Sequence, residues 1–185
     1  MSASPPILPL PEWASHEAVW IGFPSDVSLW EADLAPAQAE VAAFATAIHA
    51  GGAGEHVLLV AADAAAAETA RRLCPVAKVI VEPFGDIWLR DTGAIILGSG
   101  AGRRAQGFGF NGWGGKYELK ADDSIGHRLA AQAGLPYTTA DWILEGGAND
   151  GDGTGTLILA TLRSGEPSIR CGPVPMNLLT TRPLV

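Results

Sequence analysis

The run His56-Val57-Leu58-Leu59-Val60-Ala61 constrains the fold most. Its apolar residues are consecutive rather than alternating, the pattern of a strand covered on both faces. The flanking sequence supplies material for covering layers. Asp33 is placed to cap a helix over about 34–50, Pro36 is tolerated in its first turn, and Val41, Phe44, Ala45 and Ile48 recur at helical spacing. Gly51-Gly52 end that helix, and Asp63 caps an alanine-rich helix through Arg72.

Further strands are predicted in HEAVWIGFP, with Val19, Trp20 and Ile21 inside, and over 77–83. TGAIIL (92–97) and RRAQGFGF (103–110) form a hairpin around GSGAG. Asp122 or Asp123 caps a helix near 124–133 that Gly134 and Pro136 terminate. DWILEGG is a short strand entering a glycine turn, and TGTLILATL (154–162) is a strand after a turn over 149–153. The order β, α, β, α, β, β, β, α, β, β is mixed α/β, less strictly alternating than a doubly wound sheet.

Composition narrows the function classes. The chain has 185 residues, room for one domain with a core, and 23 are glycine, well above the usual roughly 7%. With 48% hydrophobic residues, that glycine points to tight turns and close backbone approaches rather than disorder. Twelve basic residues against 20 acidic ones give a net charge of −8, with no basic cluster. Nucleic acid and anionic membranes are therefore excluded as partners, and a small cation is favoured. The same charge also serves solubility. The start MSASPPILPLPEW lacks the basic and apolar regions of a signal peptide, and no apolar run of 18 residues exists, so the expected compartment is the cytoplasm.

Three segments carry candidate chemistry. FGDIWLRDTG (84–93) places Asp86, Trp88, Arg90 and Asp91 just after a strand. Carboxylates accept paired N–H bonds from a guanidinium and an indole face covers a cation, so this set suits a flat cationic ligand. It suits an internal Arg90–Asp ion pair beside a core tryptophan equally well. Asp86 and Asp91 act together only where the backbone turns, and Gly93 favours a turn. In DWILEGGAND (141–150), Glu145 follows an apolar strand and precedes Gly146-Gly147. It is either a buried carboxylate that orients a base or grips a cation, or a solvated turn residue. GFGFNGWGGKY (107–117) contains G-x-G-x-x-G, but Trp113, Gly114 and Gly115 oppose the helix that a dinucleotide fingerprint requires. It reads as an aromatic loop lining a pocket, or as a bulged strand.

Other chemistries fit poorly. Asp150 and Asp152 lack a calcium loop's end ligands, and His16, His49, His56 and His127 show no zinc spacing, so no metal site is expected. His127 is expected at the surface. Cys74 reads as a buried structural thiol, and Cys171 lies in an atypical segment with four prolines over 163–185.

Together LPEWASHEAVWIGFPSD, FGDIWLRDTG, FGFNGWGGKY and DWILEGG, in this order and spacing, resemble the amino-terminal half of the agmatine deiminases and the related bacterial-type peptidylarginine deiminases, over residues 10 to about 156. The resemblance implies a pentein fold, a propeller of ββαβ-type modules, here in part. It implies hydrolysis of agmatine to N-carbamoylputrescine and ammonia, a step toward putrescine, with no cofactor. A cysteine thiolate attacks the guanidinium carbon and a histidine serves as acid and base. Position by position, Asp91 matches the carboxylate binding guanidinium nitrogens, Trp88 the tryptophan packed near the substrate, and Glu145 the partner of the histidine. Asp86, Arg90 and Trp113 fall in the same motifs as supporting residues. Ala94 replaces the family's usual proline after RDTG.

The family's Gly-His-x-Asp segment and its glycine-rich cysteine segment have no counterpart, since neither Gly126-His127 nor Cys171 has the required flanks. The expectation is a domain part over 1–162 that lacks its nucleophile, followed by a tail (163–185) foreign to the domain. Such a part would expose strand edges and apolar faces, compatible with a homo-oligomer or with a binding module or inactive fragment.

Overall fold

The computed structural model describes residues 8–159, which fall into two compact units. The tail over 163–185, Cys171 and the end of the last strand lie outside the described residues. The mixed α/β class is the one observed.

One unit comprises Ser15–Leu89 and Leu119–Ile125. Its sheet has strands β1 (Ala18–Phe23), β2 (His56–Ala61) and β3 (Lys78–Val81) in that order, all parallel, with Ala18 opposite His56 and Leu58 opposite Lys78. Parallel neighbours require crossovers, and helices α1 (Leu34–His49) and α2 (Ala64–Leu73) supply them. The apolar run that opened the sequence analysis is the central strand, with Val57, Leu59, Val60 and Ala61 buried. Phe23, Val57, Leu59 and Ala61 pack on Ala42 and Ala45 of α1 and Ala66, Ala67 and Ala70 of α2. Alanines at this contact let both helices lie close to the sheet and to each other, at no cost in side-chain entropy.

Asp63 caps α2 as expected, its carboxylate accepting the Ala66 N–H at 2.8 Å. Two details of α1 differ. Asp33 holds the capping position without a side-chain bond, because a 3-10 turn (Glu31–Asp33) already leads into the helix. Phe44 is 59% exposed, whereas Gln38 is buried with its Nε2 donating to the Pro24 carbonyl at 2.9 Å. The buried stripe runs through Gln38, Ala42 and Ala45, rotated away from the bulkier Phe44. Ala50 takes the left-handed conformation ahead of Gly51 and closes the helix on the Thr46 carbonyl. Cys74 is fully buried, with its Sγ 3.5 Å from Thr46 Oγ1, as a structural thiol would be.

Gly22 of β1 admits the loop after β3: a Cβ there would sit 2.7 Å from Ile87 Cα. Asp122, one of the two expected caps, is fully buried in the first turn of helix α3 (Asp122–Gln132) and accepts the Gly85 N–H at 2.5 Å. Its carboxylate thus fixes the start of the FGDIWLRDTG segment.

The other unit comprises Arg90–Glu118 and the described parts of Met1–Ala14 and Gly126–Val185. Strands β4 (Ile95–Leu97) and β5 (Arg104–Gly109) form the expected antiparallel hairpin. Strand β6 (Tyr137–Ile143) lies parallel to β5, and the register slips between Gly107 and Gly109. That bulge is the irregular strand anticipated for the glycine-rich segment. Asn149–Gly151, expected to be a turn, is instead strand β7, paired antiparallel with β8 (Leu157–Leu159). The turn lies between them, where Asp152 accepts the Thr154 N–H at 2.8 Å. Among the described residues no helix is long and apolar enough to cross a membrane.

Candidate active site

The FGDIWLRDTG segment is not extended. It turns at Ile87–Leu89, where the Leu89 N–H reaches the Ile87 carbonyl at 2.7 Å, and then makes one helical turn over Leu89–Thr92. The reversal thus precedes Gly93. Asp86 and Trp88 belong to the unit ending at Leu89, and Arg90 and Asp91 belong to the other.

In the first of these units, Asp86 Oδ1 accepts the Ile87 N–H at 2.8 Å and Oδ2 accepts the indole Nε1–H of Trp88 at 2.7 Å. The indole is 49% exposed, so it is not the core tryptophan of the alternative reading. An indole tethered by its N–H presents a fixed π face.

In the other unit two carboxylates are brought together from distant sequence. Asp91 Oδ1 accepts the Gly147 N–H at 2.8 Å across 56 positions. Glu145 Oε1 accepts the Trp113 N–H at 2.9 Å. Glu145 is half-buried, and burial raises its carboxyl above the ordinary range. The Trp113 N–H opposes that rise, and the charge of Asp91 adds to it. The last effect means that the two acids sense one another. Each commits one oxygen to a backbone N–H, and a carboxylate can accept at both oxygens.

The paired glycines explain the approach. A Cβ on Gly146 would collide with the Arg90 carbonyl, and one on Gly147 with the Asp91 carboxylate. Arg90 forms its ion pair with Glu12, not with an aspartate of its own motif, and its Nε donates to the Gly146 carbonyl at 3.4 Å. Asn149 Nδ2 donates to the same carbonyl at 3.0 Å. The segment at 90–91 is thereby clasped to the turn at 145–147. Glu12 was not singled out from the sequence, because nothing local marks it as the counter-ion of a residue so far along the chain.

Trp113 sits in a loop of unusual backbone. Gly112, Trp113, Gly114 and Gly115 all have positive φ, at 67°, 57°, 81° and 79°. The Trp113 ring meets Phe110 and Tyr117 edge to face, with centroids 5.2 and 5.8 Å away. His127 is exposed and lies 4.8 Å from the Tyr137 ring. Two acids clasped by backbone amides beside an aromatic loop can receive a flat cation through paired N–H bonds.

Known proteins resemble this chain in both sequence and fold. The profile of the Porphyromonas-type peptidyl-arginine deiminases matches residues 9–164. The agmatine deiminase of Stutzerimonas stutzeri is 35% identical over 156 residues, covering 80% of this chain and 41% of that protein. A substrate-bound variant of the agmatine deiminase of C. jejuni has a TM-score of 0.71 at 25% identity, covering 83% of this chain and 45% of the other. The agmatine deiminase of Enterococcus faecalis shares the fold, with a TM-score of 0.75 at 24% identity over 83% of this chain and 43% of the other. The chain spans about two-fifths of the length of the curated relatives it matches. With 156 of its residues covered by the family profile and its carboxylate-bearing segments inside that span, the chain belongs to the Porphyromonas-type peptidyl-arginine deiminase family.

Proposed function

We propose that this chain carries the guanidinium-gripping part of an agmatine deiminase, a hydrolase that converts agmatine to N-carbamoylputrescine and ammonia on the way to putrescine in the cytoplasm. The observation that carries the reading is the clasp of Asp91 and Glu145 onto the Gly147 and Trp113 amides, which leaves acceptor capacity on two acids for one planar cation. In this reading Asp91 and Glu145 accept guanidinium N–H bonds, Trp113 supplies an aromatic face beside them, Glu145 is the residue that in the family partners the histidine, and Trp88, held by Asp86, is the residue matched to the family's substrate-side tryptophan. Residues 1–162 form the amino-terminal part of a pentein-type domain, and 163–185 are foreign to it.

Turnover needs a thiolate nucleophile. Cys74 is buried against Thr46, and the segment around Cys171 lacks the family pattern. The 185-residue chain is therefore expected to bind agmatine without releasing ammonia. Calorimetry with agmatine, run beside an ammonia assay, tests this. Binding by the wild type and a loss of about 10- to 100-fold in D91N and E145Q are expected, the scale of a hydrogen bond to a charged group. Unchanged affinity in both variants overturns the assignment of the two acids, and ammonia release overturns the reading of the chain as nucleophile-free.

A further inference from the structure

Four successive residues in the left-handed region are rare, since each L-residue there meets its own carbonyl and only glycine escapes the cost. Gly112–Gly115 is such a turn, and Trp113 is its one residue with a side chain. Asn111 precedes it and ties its far end back to its start: its Oδ1 accepts the Gly114 N–H at 2.8 Å, and its carbonyl accepts the Gly115 N–H at 2.8 Å. Inside the closed turn the Trp113 N–H points at Glu145 Oε1, 2.9 Å away. Gly112 is buried and the Trp113 ring packs on Phe110 and Tyr117, whereas Gly114 and Gly115 are exposed, so the exposed half of the strained turn relies on its hydrogen bonds to Asn111.

We propose that Asn111 is a positioning residue for the carboxylate pair: its side chain closes the left-handed turn that delivers the Trp113 amide to Glu145 and sets the direction of the Trp113 indole. The inference rests on the reading of Glu145 as part of the guanidinium site and adds a residue that acts through the backbone rather than on the ligand. Asparagine suits the position because its amide oxygen mimics a backbone turn and carries no charge to repel the two acids.

The test follows Glu145 itself, by 13C NMR of its side-chain carboxyl in the full 185-residue chain, with E145Q to assign the signal. An N–H aimed at a carboxylate favours its charged form. In N111A the turn opens, the N–H is lost and the Glu145 midpoint rises by about one pH unit. N111S restores an oxygen acceptor and returns the midpoint toward that of the wild type. In the wild type, the Trp113 amide proton shifts with the same midpoint as Glu145, a measurement that needs no variant to fold. An unmoved Glu145 midpoint in N111A, or a Trp113 amide that ignores the titration, overturns the proposal. Agmatine calorimetry on the wild type is the separate test of the guanidinium reading, and the Glu145 titration decides the role of Asn111 whatever that gives.

Discussion

At the scale of single residues, Glu145 is the group whose environment has measurable consequences. Burial, chiefly, and the nearby Asp91 hold its carboxyl above the ordinary range in the folded chain. An acid raised by folding contributes stability that is present below its unfolded value, about 4.3, and is lost as pH rises through the folded value. Ionised Glu145 is thus a liability for the fold at neutral pH and the form a cation needs. E145Q is expected to raise the melting temperature relative to wild type at pH 7, with the difference vanishing near pH 4, while weakening agmatine binding at neutral pH. Thermal melts at the two pH values check the first part. A wild-type affinity for agmatine that begins to fall above the pH at which free glutamate protonates checks the second. Asn111 shows why part of the site was not legible in the sequence. Its role depends on four consecutive left-handed residues, which G-W-G-G permits but no apolar period announces.

At the scale of elements, the sequence was most readable where burial is two-sided and least where choices are relative. Strand β2 was plain because every residue from Val57 to Ala61 is apolar. In the stripe of α1 only Phe44 was misplaced: Val41, Ala45 and Ile48 pack on the core as their helical spacing implies, whereas the close contact with the alanine-rich α2 takes Ala42 beside Ala45 and leaves Phe44 exposed. Asp91 and Glu145 could be joined in advance only through the family resemblance, since local periodicity holds no information about contacts so far apart, such as the Asp91–Gly147 bond across 56 positions. The clasp between them makes a sharp prediction about glycine. A Cβ at Gly146 meets backbone, the Arg90 carbonyl, which cannot swing aside. G146A should cost about 1–3 kcal/mol, the scale of overpacking. At Gly102 nothing lies within 4 Å of the added atom and φ is not positive, so G102A should stay within about 0.5 kcal/mol of wild type. Urea melts of both variants decide it. Equal stability would show that the clasp is not as tight as its geometry.

At the scale of the whole molecule, the net charge of −8 bears on the proposed ligand, which carries a cation at each end. In the proposed function, the guanidinium of agmatine meets the Asp91–Glu145 clasp through short hydrogen bonds, and its distant ammonium is drawn by the general negative field without fixed geometry. These two attractions differ in their response to salt. Contacts in a half-buried site are screened weakly, whereas exposed charges farther apart than the Debye length, about 8 Å at 0.15 M salt, are screened strongly. Raising sodium chloride from low to physiological ionic strength should therefore weaken agmatine binding more steeply than binding of an alkylguanidine of equal length with an uncharged tail. The alkylguanidine keeps the part of its affinity that the clasp supplies. Parallel slopes for the two ligands in calorimetric titrations would mean that the excess acidity serves solubility alone and plays no part in drawing the substrate in.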